Sequence, residues 1–273
     1  MTKPADDTHV ERHQYDPDAD HSFPDGRVNA VLDRVTDDEE IATYLKAQNV
    51  NAVDRKGYND HGTKHVGIVR DRALKLYDLL KARGVEFNGA RQQGLDEADE
   101  AVIIALAATL HDVGHVVHRD RHSYYSIPLA ADILDRLLPA FYEVPEQVRM
   151  KAEVLHAILC HHTEEETLTR EAGVIRVADG LDMEQGRSRV PYEEGGRGIN
   201  TVSSQAIESV ILRPDDDVPA QVEIRMTNAA GVYQVDSLLK SKVDGSLLED
   251  LIRIVAINTK SNGDESIVER IEL

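Results

Sequence analysis

Cysteine is nearly absent from this chain of 273 residues. Cys160 stands alone, so no internal disulfide can form and no thiolate cluster can hold a metal. A reducing, cytoplasmic setting is the expectation. Long apolar runs are missing as well: no stretch approaches the roughly 20 residues that span a bilayer. The opening "MTKPADDTHVERHQYDPDAD" lacks the apolar centre of an export signal, so neither membrane insertion nor export is expected. Basic residues are in deficit, with 31 Lys and Arg against 50 Asp and Glu and a formal charge of −19. Without a basic stripe to contact phosphates, broad nucleic-acid binding is not expected. An acidic excess of this size is the surface expected of a halophilic protein, because concentrated salt screens the self-repulsion; a moderately acidic mesophilic enzyme is the blander reading.

What is present suits burial. With 41% hydrophobic residues the chain can form one large domain, or a domain with a modest appendage. Residues 1–27 mix Asp, Pro and His (His9, His13, His21) with few apolar residues and read as an acidic, mobile tail. From residue 28 to 199 the patterns are helical. "TDDEEIATYLKAQNV" offers Thr36 as an N-cap and acids in its first turn. "DHGTKHVGIVRDRALKLYDLLKARG" repeats apolar residues at helical spacing and stops at Gly84. "DEADEAVIIALAATLHDVG" is a buried helix capped by Asp96, followed by helices in "HSYYSIPLAADILDRLL", "PEQVRMKAEVLHAILCHHT" and "REAGVIRVADGLDMEQGR". Beyond residue 199 the period changes. "IESVILR" and "AQVEIRMT" read as strands joined across "PDDDVP", "NAAGVYQVDSLLKSKV" as a helix, and "LIRIVAINT" as a helix end or a strand. The expected fold is mainly α: a helical bundle over 28–199 with a small α+β appendage over 200–273.

The segment "ATLHDVGHVVHRDRH" follows the almost wholly apolar "AVIIALA", so a core helix ends in groups suited to a metal. His61 and His65, four apart on one predicted helix, share a face. His111 and Asp112 end the buried helix, His122 begins the next, His156 and His161 lie on the one after, and Asp179 sits in "RVADGLD". A single histidine on an apolar face is most often a core residue satisfying a backbone carbonyl. Several helices each delivering one or two nitrogen or oxygen donors is a different matter. Imidazole with carboxylate and no thiolate suits Zn, Fe, Mn, Co or Ni and argues against a purely structural zinc site. Cys160 reads as a small buried hydrophobe.

This order of residues resembles the HD superfamily of metal-dependent phosphohydrolases. His65 matches the family's first histidine, His111 and Asp112 its HD pair in "LHDVGH", and Asp179 its distant aspartate, over residues 57–190. "HSYYSIPLAADIL" and "ILCHHT" look like the segments that bear further ligands in the multinuclear branch, which includes the HD-GYP phosphodiesterases. The resemblance implies one divalent ion on His65, His111, Asp112 and Asp179. A second would be shared by Asp112 with His122 and His161, with His156 or His162 nearby; His61 is a candidate for a third ion or a substrate contact. His115 stands where the HD-GYP branch usually has lysine, and the Gly-Tyr-Pro segment is missing, which argues against cleavage of cyclic dinucleotides. "YNDHG", "VHRD" and "VADGLDMEQGR" make the whole chain most similar to an archaeal group of stand-alone HD proteins.

The implied activity is hydrolysis of a phosphoester in a small phosphorylated molecule such as a nucleotide. Asp112 would be central to it, with His115 and Lys64 as catalytic candidates. Arg187 and Arg189, in "MEQGRSRVPYEEGGRG", are candidates for phosphate contact, since the guanidinium fork matches phosphate geometry. Two other readings stay open: a di-iron oxygenase on nearly the same ligands, or a metal- or nucleotide-binding regulator whose appendage mediates partner contact or dimerisation into a homo-oligomer.

Overall fold

The computed structural model describes residues 26–55, 60–184, 199–259 and 270–272. Arg187 and Arg189 lie outside the described residues, as does nearly all of the expected tail. The first described helix, α1, spans Gly26–Thr36 and so includes two residues assigned to the tail from the sequence. Arg27 belongs to it, and its guanidinium reaches the buried Asp99 carboxylate at 2.5 Å.

The helices start and stop where the backbone finds partners. Thr36 closes α1, and it is Asp38 that caps α2 (Glu39–Asn49), accepting the N–H groups of Glu40 and Ile41 at 3.1 Å each. The shift of two residues has a simple cause. Val28, Val31, Leu32 and Val35 keep the chain helical through Thr36 so that they can be buried. A π-helical turn, Val50–Asp54, follows α2. Helix α3 (Thr63–Ala82) ends before Gly84, whose φ of 75° is the left-handed conformation that closes many helices. After the short α4 (Gly89–Gln92), α5 (Glu97–Leu110) opens with a capping box between Asp96 and Asp99.

Every residue of α5 from Asp99 to Leu110 is buried, so this helix is the axis of the molecule. Helices α1, α3, α7 (Val144–Leu159) and α8 (Arg170–Leu181) pack around it. Full burial of Ile103, Ile104, Leu106 and Leu110 contributes about 1.5–3 kcal/mol for each side chain. Between α5 and α6 (His122–Leu137) lies one 3₁₀ turn, Val113–Val116. No described helix is long and apolar enough to cross a membrane.

The C-terminal part begins with α9 (Ile199–Ser204) and forms a four-stranded sheet in sequence order. β1 (Ile207–Arg213) and β2 (Ala220–Met226) are antiparallel, as a hairpin across "PDDDVP" requires. "LIRIVAINT" forms β3 (Ile252–Asn258), which runs parallel to β2, and β4 (Arg270–Glu272) is antiparallel to β3. A parallel neighbour demands a crossover. Here the crossover contains a π-helical segment, Gln234–Leu239, and α10, Lys240–Val243. It lies on α8, where two glycines let it approach: a Cβ at Gly173 would run into the Ser246 carbonyl, and one at Gly180 would meet the Lys242 stem at 2.9 Å. One continuous apolar core includes α8, β2, β3 and the crossover.

Candidate metal centre

Helix ends, not helix faces, build the site. His111 is the C-cap of α5, and His161 follows the C-cap of α7. Each turns back on the last turn of its own helix: His111 Nδ1 is 2.8 Å from the Ala108 carbonyl and His161 Nδ1 is 2.6 Å from that of Ile158. The last four carbonyls of a helix have no partner within it, so a histidine at this position finds an acceptor ready. His122, at the start of α6, does the same with the Arg119 carbonyl at 2.8 Å. His65, near the start of α3, directs Nδ1 to Asp182 Oδ2 at 2.6 Å. An oxygen acceptor on Nδ1 puts the imidazole proton there and leaves a lone pair on Nε2.

Those Nε2 atoms then converge. His65 and His111 bring theirs to 3.3 Å, His122 and His161 to 3.1 Å, and His162 Nε2 comes to 3.2 Å from His122 Nε2. In the His65–His111 and His122–His161 pairs, whose tautomers are fixed from Nδ1, lone pair faces lone pair, which is repulsive unless a cation lies between. Two nitrogens each about 2.0–2.1 Å from one ion at tetrahedral angles stand about 3.3–3.4 Å apart, close to the spacings found. His115 supplies a second sign. Both of its ring nitrogens are buried without a hydrogen-bond partner, and the ring is stacked between His61 and His122 at centroid distances of 4.3 and 4.0 Å. The donor set therefore fits divalent ions. Four overlapping groups of donors, each spanning no more than 4.8 Å, could hold them: His65–His111–Asp179, His61–His65–Asp112, Asp112–His115–His122, and His122–His161–His162.

Asp112 joins the two halves. Its Oδ2 lies 2.8 Å from His61 Nδ1, 3.3 Å from His65 Nε2 and 3.5 Å from His111 Nε2. Its Oδ1 lies 3.0 Å from His122 Nε2, 3.6 Å from His115 Nε2 and 3.7 Å from His161 Nε2. Asp179, in the last turn of α8, sets Oδ1 3.4 Å from His65 Nε2 and 3.8 Å from His111 Nε2.

The electrostatics are those of a cation site. Burial would raise the Asp112 carboxyl, but the imidazoles of His111, His115, His61 and His122 outweigh it and hold the group well below the usual carboxylate range. Asp179 is likewise held low: burial opposes, and Lys242, His65 and His111 prevail. Burial lowers His111 and drives His161 well down, pushes His115 to about 2 and His162 to about 4. His122 alone of this group is raised, because the Asp112 carboxylate outweighs its burial. Ionised carboxylates beside neutral imidazoles at His111, His115, His161 and His162 are the protonation states that metal ligands require, and the raised His122 would give up its proton to an ion. The negative ends of α5, α7 and α8 point the same way.

His65, His111, Asp112, His122, His161 and Asp179 are thus gathered, together with His61, His115 and His162. Three expectations change. His61 does not share a helix with His65, because Gly62 is the N-cap of α3. It is held from α2 instead, through Asn49 Oδ1 on its N–H at 2.9 Å and Gln48 on its carbonyl. His156 stays on α7 outside the cluster, its Nε2 accepting the Leu168 N–H at 3.3 Å and its Nδ1 3.5 Å from Cys160 Sγ. Lys64 is exposed: one residue before buried His65, it points about 100° away around the helix. Two residues were overlooked. Asp182 was legible in principle, three residues after Asp179 in "DGLD" and so near it on the helix. Lys242 carries no such signal. It comes from the crossover, donating to Asp179 Oδ2 and, at 3.1 Å, to the His161 carbonyl.

Two comparisons with known proteins place the chain. Residues 85–184 match the model of the HD domain, a span containing every gathered donor except His61 and His65. The uncharacterized protein MJ1020 of Methanocaldococcus jannaschii is 38% identical over 226 residues, which cover 83% of this chain and 87% of that protein.

Proposed function

The chain belongs to the HD-domain superfamily, and from that premise we propose that it is a phosphohydrolase using two divalent transition ions on a small phosphorylated molecule, a nucleotide among the candidates. One observation carries the reading: Asp112 divides its two carboxylate oxygens between two sets of imidazoles. One ion would be held by His65, His111, Asp112 and Asp179, and the second by Asp112, His122 and His161, with His61, His115 and His162 in reach as further donors. Divalent ions in such sites polarise phosphoryl oxygens and bring the pKa of bound water toward neutrality.

The chain's own groups serve that chemistry in distinct ways. Asp182 fixes the tautomer and the plane of His65, as a carboxylate behind a ligating imidazole does. The carbonyls of Ala108, Ile158 and Arg119 do the same for His111, His161 and His122. His115, driven to about 2 by burial, stays neutral and is better suited to donating a lone pair than to carrying a proton. Asp179 is 14% exposed while His65 and His111 are fully covered, so this donor set reaches solvent beside Asp179.

Metal analysis of freshly purified protein, followed by a phosphoester panel with Mn, Fe, Zn, Co and Ni, tests the proposal. Turnover that vanishes in Asp112→Ala and His111→Ala, with bound metal lost and helical content kept, is the expected result. Oxygen uptake by the iron-loaded protein without phosphate release would point to a di-iron oxygenase. Full metal loading with ligand binding and no turnover would point to a regulator.

A further inference from the structure

We infer that Lys242, delivered by the crossover between β2 and β3, is the residue that binds the phosphoryl group of the substrate. The inference rests on the phosphohydrolase reading and extends it. Three observations meet at this side chain. The Lys242 ammonium bonds to the Asp179 carboxylate and to the His161 carbonyl, so it touches one residue from each of the two donor sets. It also stands at the opening: its side chain is 18% exposed and that of Asp179 is 14%, whereas His65, His111, Asp112 and His161 are between 0 and 3% exposed. Finally, its path is built into the fold. The stem crosses α8 at Gly180, where a Cβ would meet Lys242 Cδ at 2.9 Å and Cβ at 3.5 Å.

An anion approaching from solvent meets this ammonium before the buried donors. Once Asp179 shares its charge with an ion, its hold on the lysine weakens and the ammonium can offer its protons to a phosphoryl oxygen. Lysine serves such a role as a compact charge with three rotatable donors. The body of helices supplies the imidazoles and carboxylates, and the C-terminal part completes the site with a cation.

The test uses the full-length protein loaded with metal, and inorganic phosphate as the probe. Phosphate binding is measured by calorimetry on wild type, Lys242→Met and Lys240→Met, with metal content determined for each. Lys240 lies on the same short helix and controls for loss of a nearby positive charge. Lys242→Met should keep its full metal complement and bind phosphate about 10- to 100-fold more weakly, the loss expected for one hydrogen bond to a charged group. Lys240→Met should match wild type. Equal phosphate affinity in Lys242→Met and wild type would overturn the assignment and leave the hydrolase reading intact. Loss of metal in Lys242→Met would overturn it too, assigning the ammonium to holding Asp179. Metal-loaded wild type that neither binds phosphate nor hydrolyses any phosphoester would remove both readings.

Discussion

Replacing Gly114 with alanine should dismantle one half of the proposed two-ion centre and spare the other. Gly114 sits in the 3₁₀ turn just after Asp112, pressed against the start of α6. A Cβ there would collide with the His122 carbonyl, lie 2.5 Å from the Ser126 backbone nitrogen and 2.9 Å from Ser126 Oγ. The first two atoms are backbone, so no rotamer change relieves the clash and α6 must back away. The motion breaks the bond from the Gly114 N–H to Ser126 Oγ, now 2.8 Å, and strains the one from that hydroxyl to the His111 carbonyl at 2.7 Å. Overpacking of this kind costs about 1–3 kcal/mol and a lost hydrogen bond about 0.5–1.5 kcal/mol. A total of about 2–4 kcal/mol lowers the melting temperature by roughly 4–16 °C in a domain of this size. The chemical effect is sharper. His122 Nε2, now 3.0 Å from Asp112 Oδ1, rides on the displaced helix start, and ligand bonds tolerate only about 0.2 Å. His65, His111 and Asp179 come from α3, α5 and α8 and do not move with α6. The assay is metal stoichiometry after dialysis, paired with thermal unfolding followed by circular dichroism. About one equivalent should be lost and one kept. A variant with an unchanged melting temperature and a full metal complement would refute the reasoning.

His122→Gln and His161→Gln should each remove the same equivalent of metal and cut turnover steeply while stability changes little; one equivalent in wild type and both variants would leave a mononuclear site. Asp38→Ala should cost about 1–2 kcal/mol near neutral pH, since it removes the cap of α2 together with the pair to Arg136. The Arg136 contact, against burial, holds the Asp38 carboxyl below its ordinary value, so its contribution is complete above the unfolded-state pKa and fades as pH falls through the depressed one. Unfolding curves of wild type and Asp38→Ala should therefore converge in strong acid, and a constant gap would contradict this. The formal charge of −19 should make the melting temperature rise substantially between dilute buffer and about 1 M KCl, because salt at that strength shortens the range of self-repulsion to about 3 Å. A flat response would remove the halophilic reading and leave the metal centre untouched.

The amino-acid sequence by itself determined the elements and most of the donors. Apolar periodicity set α3 and the helices from α5 to α8, Asp96 and Gly84 marked ends, and alternation marked β1 and β2, because these signals are local and each depends on a few neighbouring residues. His65, His111, Asp112, His122, His161 and Asp179 were legible because their residue types and order are themselves the signature. Tertiary structure decided the rest. It left His156 on α7 holding Leu168, took in His162, and lifted His61 off α3 onto a support from α2. It also set Asp182 behind His65 and carried Lys242 across Gly180 to Asp179. Such choices depend on which helix ends meet and how a parallel strand pair routes its crossover. Those are long-range contacts, between residues 63 apart for Asp179 and Lys242 and 117 apart for His65 and Asp182, and no periodicity along the chain encodes them.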